Sequence, residues 1–211
     1  MINIKKIITG KWRQNCYVVN DSKTNCVIID PGSEAKHIIE YIESKQQNVL
    51  AILNTHAHYD HIGAVTMLKS KFSVPFYLHS KDLKVLKYAN LYRHLFDADE
   101  TISLPKIDYY IDQIETPIRL GDFSIQVLFT PGHTQGSVCF LIEDCLFAGD
   151  TFFKGKIGRV DLPGGDKNAL CNSLKNLSML PPKIKIYPGH GGTSTMLEEM
   201  QKNFKLLEAI Q

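Results

Sequence analysis

Short apolar runs, each closed by Gly, Pro, Asn or Asp, alternate along this chain with stretches of helical spacing. Residues 2–8, 16–19 and 26–29 read as strands, with turn material at Asn20-Asp21-Ser22 and a stop at Asp30-Pro31-Gly32-Ser33. Residues 34–47 place Ile38, Ile39 and Ile42 on one face, the spacing of an amphipathic helix. Then come a buried-type strand over 48–53, a helix over 62–72, and a strand over 74–78. Pro75 sits near the start of that strand, where a missing N–H is tolerable. Residues 81–96 read as a helix and the polar residues 97–106 as a loop able to border a pocket. The strand pattern returns at 109–111 and 114–120 and passes a hairpin signal at Gly121-Asp122. It continues through 123–129, 137–142 and 145–148. A helix over 167–179 stops at Pro181-Pro182, a strand covers 184–187, and a helix over 195–210 closes the chain.

Strands followed by a helix thus occur twice, once per half, with no linker between, so residues 1–211 are expected to form a single α/β domain. A length of 211 residues with 44% apolar content supports one substantial core. The formal charge is +2 and lysines are scattered, so neither a nucleic-acid nor a membrane surface is indicated. No apolar run reaches the roughly 18 residues of a membrane span, and residues 1–11 lack the apolar core of a signal peptide. The five cysteines are odd in number with no C-x-x-C pair. They are expected to be reduced, mostly buried thiols of a cytoplasmic protein.

The chemistry concentrates at residues 54–63, where strand 48–53 gives way to a helix. His56, His58, Asp60 and His61 fall within six residues. In extended chain His56 and His58 lie on the same side, while Asp60 and His61 follow as the chain bends. That arrangement suits two metal ions side by side. The bland alternative is a polar turn that happens to hold histidines. Burying so many ionisable groups without a metal would be costly, which argues against it. Three later strands repeat the logic, running into His133, Asp150 and His190 beside Gly or Pro. Five of the eight histidines occupy such strand ends. His37 is expected on a solvated helix face, and His79 as a hydrogen-bonded structural residue.

The set His56-x-His58-x-Asp60-His61, His133, Asp150 and His190 resembles the metallo-β-lactamase-fold hydrolases over nearly the whole chain. Thr55 to His61, Asp150-Thr151, Gly158-Arg159 and 187–191 are most similar to glyoxalase II, the hydroxyacylglutathione hydrolases. The resemblance implies a four-layer α/β/β/α sandwich with its site at one sheet edge. It implies one metal on His56, His58 and His133, another on Asp60, His61 and His190, and Asp150 bridging them. Zinc is the expected metal, with Fe or Mn as alternatives. True β-lactamases typically lack the His61 and Asp150 features and use a Cys ligand, so antibiotic hydrolysis is not implied. The longer glyoxalase II proteins carry a helical domain after the last metal histidine. Here 21 residues follow His190 (211 minus 190), which points to the short, single-domain group.

A hydroxide held between two metals would attack a carbonyl carbon, and a thioester suits this attack because its thiolate leaves readily. Asp60 is the candidate catalytic residue, orienting the hydroxide as well as binding metal. No Gly-x-Ser-x-Gly occurs, so a serine triad is not supported. Lys154 and Arg159 are candidate contacts for a substrate carboxylate, against the plainer reading of exposed charges in a turn-rich connection. The expected partner is a small-molecule thioester; the sequence leaves the oligomeric state open. A persulfide dioxygenase on one iron is a rival, since His56, His133 and Asp150 form its ligand subset. A lactonase or other hydrolase on the same centre is another. A non-catalytic scaffold would be expected to have lost ligands.

Overall fold

The computed structural model describes residues 1–96 and 101–211. Its first sheet runs β1 (Asn3–Thr9), β2 (Gln14–Asn20), β3 (Asn25–Ile29), β4 (Asn48–Leu53), β5 (Phe76–Leu78) and β6 (Tyr109–Tyr110), neighbours in that order. The first three are antiparallel and the rest parallel. The second sheet holds β7 (Ile118–Leu120), β8 (Phe123–Phe129), β9 (Val138–Ile142) and β10 (Cys145–Gly149). After a small hairpin of β11 (Phe152–Phe153) and β12 (Lys156–Ile157), β13 (Lys185–Pro188) pairs parallel to β10, and β14 (Ser194–Thr195) closes the edge.

Strand parity builds the layers. In β2 and β3, Cys16, Val18, Cys26 and Ile28 face one way, against α1 (Ala35–Ser44) and α3 (Val65–Phe72). The alternate residues Tyr17, Val19, Val27 and Ile29 face the other way and meet Phe123, Ile125, Val138 and Phe140 of the second sheet. The far side of that sheet, with Cys139, Leu146 and Ala148, is covered by Leu170, Leu174 and Leu177 of α6 (Lys167–Ser178) and by Met196 and Leu206. Three apolar cores between four layers make the α/β/β/α sandwich. Strands buried on both faces explain why the sequence shows continuous apolar runs instead of clean alternation.

Several boundaries differ from the sequence expectation. The helix expected over 81–96 is a 3-10 turn, Ser80–Asp82, followed by α4 (Leu83–Lys87) and α5 (Ala89–Phe96). His79 caps that turn, its Nδ1 accepting from Lys81 N. Of the expected loop 97–106, residues 97–100 lie outside the described residues, and 101–106 carry no helix or strand. The strand expected over 114–120 shrinks to Ile118–Leu120, after Pro117, which has no N–H to donate. The closing helix breaks into α7 (Met196–Lys202) and α8 (Phe204–Ala209) at Asn203. Its side chain caps α8 at Leu206 N and donates to the carbonyls of Phe153 and Lys156. One short helix, α2 (Tyr59–Ile62), begins inside the histidine cluster. Among the described residues no helix is long and apolar enough to cross a membrane.

Candidate metal centre

Four strand ends at one edge of the sandwich carry the seven candidate ligands. β4 ends at Leu53 and feeds residues 54–61; β8 leads to His133, β10 to Asp150 and β13 to His190. Parallel pairing puts Gly149 beside Pro188, and Gly189 N donates to Gly149 O at 2.7 Å, which brings Asp150 and His190 together. The two sheets are tied at this edge by backbone bonds, Val138 N to Thr55 O at 2.9 Å and Asn15 N to Gly189 O at 2.7 Å. Gly149 sits at φ 49, where a side chain would also strike Thr55. A Cβ at Gly189 would collide with Asp150 Oδ1. Those two glycines let the strand ends approach so closely.

The side chains form two groups. His58 Nδ1 lies 3.1 Å from His56 Nε2 and 2.9 Å from His133 Nε2. His190 Nε2 lies 3.2 Å, and His61 Nε2 3.9 Å, from Asp60 Oδ2. Asp150 reaches both groups, with Oδ1 at 3.4 Å from His61 Nε2 and Oδ2 at 3.6 Å from both His133 Nε2 and His190 Nε2. All seven expected residues therefore converge.

The rings of His61, His133 and His190 are aimed from behind. His133 Nδ1 donates to Arg159 O at 2.8 Å and His190 Nδ1 to Trp12 O at 3.0 Å. A carbonyl can only accept, so the inward Nε2 of both carries a lone pair whenever the ring is neutral. His61 Nδ1 lies 3.1 Å from Asp30 Oδ2, and Asp30 also accepts from Thr55 N and Oγ1, both at 2.7 Å. Asp82, fully buried, accepts from Ala57 N and Gly136 N at 2.8 Å and from Thr134 Oγ1 at 3.0 Å. It pins the His56–His58 turn to the His133 turn. Neither acid was singled out from the sequence. Asp30 read as a strand stop and Asp82 as one more helix residue. His56, His61 and Asp30 also lie close enough to hold an ion, but the three hydrogen bonds on Asp30 mark it as an orienting group.

Electrostatics divide the rings. Burial, then the neighbouring histidines, push His56 well below the usual imidazole range; burial and His133 bring His58 down to about 3. Burial would also lower His61, but Asp150, Asp60 and Asp30 outweigh it and hold it well above. His190 is raised, Asp150 and Asp60 again overcoming burial. Burial opposes ionisation of Asp60 and Asp150, yet His61 and His190 lower both, Asp150 strongly.

A cavity of about 260 Å³ opens over the centre, lined by His58, Asp60, His133, Asp150 and His190 together with Trp12, Tyr92 and Arg159. Arg159 is therefore at the cavity. Lys154 is exposed in the β11–β12 turn and is not among the lining residues. His79 is buried away from the centre and His37 is exposed. The five cysteines are free, three of them buried.

A family model described as the metallo-beta-lactamase superfamily matches residues 9–190. The chain is 34% identical to hydroxyacylglutathione hydrolase GloC of Haemophilus influenzae over 96% of its own length and 97% of that protein. Among solved structures it resembles BLEG-1 B3 metallo-beta-lactamase, with 37% identity and a TM-score of 0.90 over 98% of this chain and 99% of that one. It also resembles TTHA1623 in a di-iron-bound form, with 37% identity and a TM-score of 0.83 over 95% and 98%.

Proposed function

The chain belongs to the metallo-beta-lactamase superfamily, and on that premise we propose that it is a thioester hydrolase of the hydroxyacylglutathione hydrolase kind, working with two divalent metal ions. The observation that carries the reading is Asp150, whose carboxylate reaches both groups of histidines, Oδ2 lying between His133 and His190 and Oδ1 facing His61. The donor set fits such ions. His58 Nδ1 lies within hydrogen-bond distance of two other imidazole nitrogens, those of His56 and His133. His61 Nε2 and Asp150 Oδ1 are buried without a hydrogen-bond partner. His56, His58 and His133 would hold one ion and Asp60, His61 and His190 the other, with Asp150 shared.

When bound, such ions supply Lewis acidity, bringing the pKa of a water from 15.7 to about 7 and polarising a carbonyl. The protein supplies the rest. Asp60 is ionised and lines the cavity, so its carboxylate orients the attacking water and can take up its proton. Attack forms a C–O bond and breaks the C–S bond; the thiolate departs with the electron pair and needs little acid assistance. The similarity to hydroxyacylglutathione hydrolase GloC supports a thioester of glutathione as the starting substrate. The similarity to BLEG-1 B3 metallo-beta-lactamase supports a second reading, β-lactam hydrolysis on the same centre.

Metal analysis paired with turnover assays decides between them. Two ions per chain with rapid hydrolysis of lactoylglutathione are expected. Cleavage of a chromogenic β-lactam without thioester hydrolysis would move the assignment to the second reading. One iron per chain with oxygen consumption on glutathione persulfide, and no hydrolysis, would sink both.

A further inference from the structure

The cavity over the centre is strongly one-sided in its chemistry. Among the described residues, and apart from the centre's own side chains, its lining consists of Trp12, Tyr59, Tyr92, Phe96, Leu162 and Pro163, plus Arg159. The cation in that lining does not offer its charge freely. Arg159 Nε and Nη2 each donate to the Asp161 carboxylate at 2.7 Å, a two-point pair that an incoming anion would have to displace. Two of the aromatic residues, by contrast, are exposed, Trp12 at 48% and Phe96 at 49%, and Tyr59 and Tyr92 are half-buried. Trp12 is tied to the centre through its carbonyl, which accepts from His190 Nδ1 at 3.0 Å. That bond holds the Trp12 backbone beside the candidate ligands, and the ring lines the cavity with Lys11 Nζ 5.8 Å from its centroid.

Resting on the thioesterase reading, we propose that the acyl group this cavity selects is uncharged and aromatic, packing on Trp12 and Tyr92, in preference to a small hydroxyacyl group. A lactoyl group would leave that wall wet. A ring in place of its methyl group would cover it, with offset or edge-on contacts to the aromatic side chains. An anionic acyl group would have to compete with Asp161 for Arg159, whereas an uncharged ring needs no such exchange.

The test compares lactoylglutathione with mandeloylglutathione on the metal-loaded enzyme, two thioesters that differ by phenyl for methyl. The expected kcat/KM ratio favours mandeloyl by about tenfold or more. Trp12→Ala and Tyr92→Ala are each expected to bring the ratio towards one, and Trp12→Phe to restore most of it. Trp12 is the single tryptophan of the chain, so its fluorescence gives a readout independent of turnover. Mandelate is expected to change it saturably, and lactate is not. A wild-type ratio at or below one, or a ratio unmoved by both alanine variants, would overturn the proposal. If neither thioester is hydrolysed, the thioesterase reading fails by itself, and the fluorescence titration decides the aromatic wall: no response to mandelate refutes it.

Discussion

His61 Nε2 faces Asp150 Oδ1 at 3.4 Å, and both atoms are buried with no hydrogen-bond partner. The other nitrogen of His61 is committed to Asp30, so the ring cannot turn away to satisfy itself. In the metal-free protein this contact is an ion pair, the ring against a carboxylate that raises its pKa, and a divalent cation would take the proton's place between the same two atoms.

Metal removal should therefore be felt as stability. Chelation is expected to lower the Tm, and adding back a divalent ion at about a hundred times its Kd should return about 2.7 kcal/mol. Asp150→Ala should reduce the content of both ions and the rate together, measured by metal analysis of the purified variant. Retention of both ions by that variant would remove its bridging role.

Asp30 acts through His61. Asp30→Asn keeps the size of the side chain but weakens the acceptor that orients the ring, and outer partners of this kind are worth 10–100-fold in metal affinity. The loss is expected on the Asp60/His61/His190 side, with the Tm of the chelated protein changed far less than its metal affinity. Competition with a chromophoric chelator measures it.

Asp82 is a structural acid. Burial raises its pKa even though three donors point at it. Asp82→Ala would orphan Ala57 N and Gly136 N, while Thr134 Oγ1 keeps Ser137 Oγ at 2.8 Å. At about 1–3 kcal/mol for each buried orphan, a loss of about 2 kcal/mol or more is expected. Urea titration should show a lower midpoint with the slope kept.

The convergence of the candidate ligands was legible in the sequence because each follows an apolar run, and strands running the same way bring their ends to one edge. The residues behind them were not legible. Asp30 meets His61 across 31 positions and Asp82 meets Ala57 across 25. Asp30-Pro31-Gly32 looks the same whether its carboxylate stops a strand or aims a histidine. Asp82 lies in a window of helical spacing, and periodicity cannot tell an anchored acid from a solvated one. Asn203 breaks a helix for a similar reason, since its partners are the carbonyls of a hairpin some 50 residues away. Lys154 looked close to the centre because it follows Asp150, but a hairpin of two-residue strands leaves it exposed in the turn.

The two halves of the centre should respond differently to acid. His56 and His58 are pushed down, His58 to about 3, so near neutrality both rings are already neutral and an ion displaces no proton from them. His61 and His190 are pushed up by the carboxylates around them. Their protonated forms are favoured by those carboxylates, so an ion competes with protons there, and ligand nitrogens must be deprotonated to bind. Affinity on the Asp60/His61/His190 side is thus expected to rise with pH through those raised values, and to fall first on acidification. The His56/His58/His133 side should hold its ion to lower pH. Stepwise dialysis to lower pH with metal analysis at each step should give two ions, then one, before none. Calorimetry in buffers of different ionisation enthalpy should register more proton release for the Asp60/His61/His190 ion than for the other. Simultaneous loss of both ions, with equal proton release for each, would contradict this division of the centre.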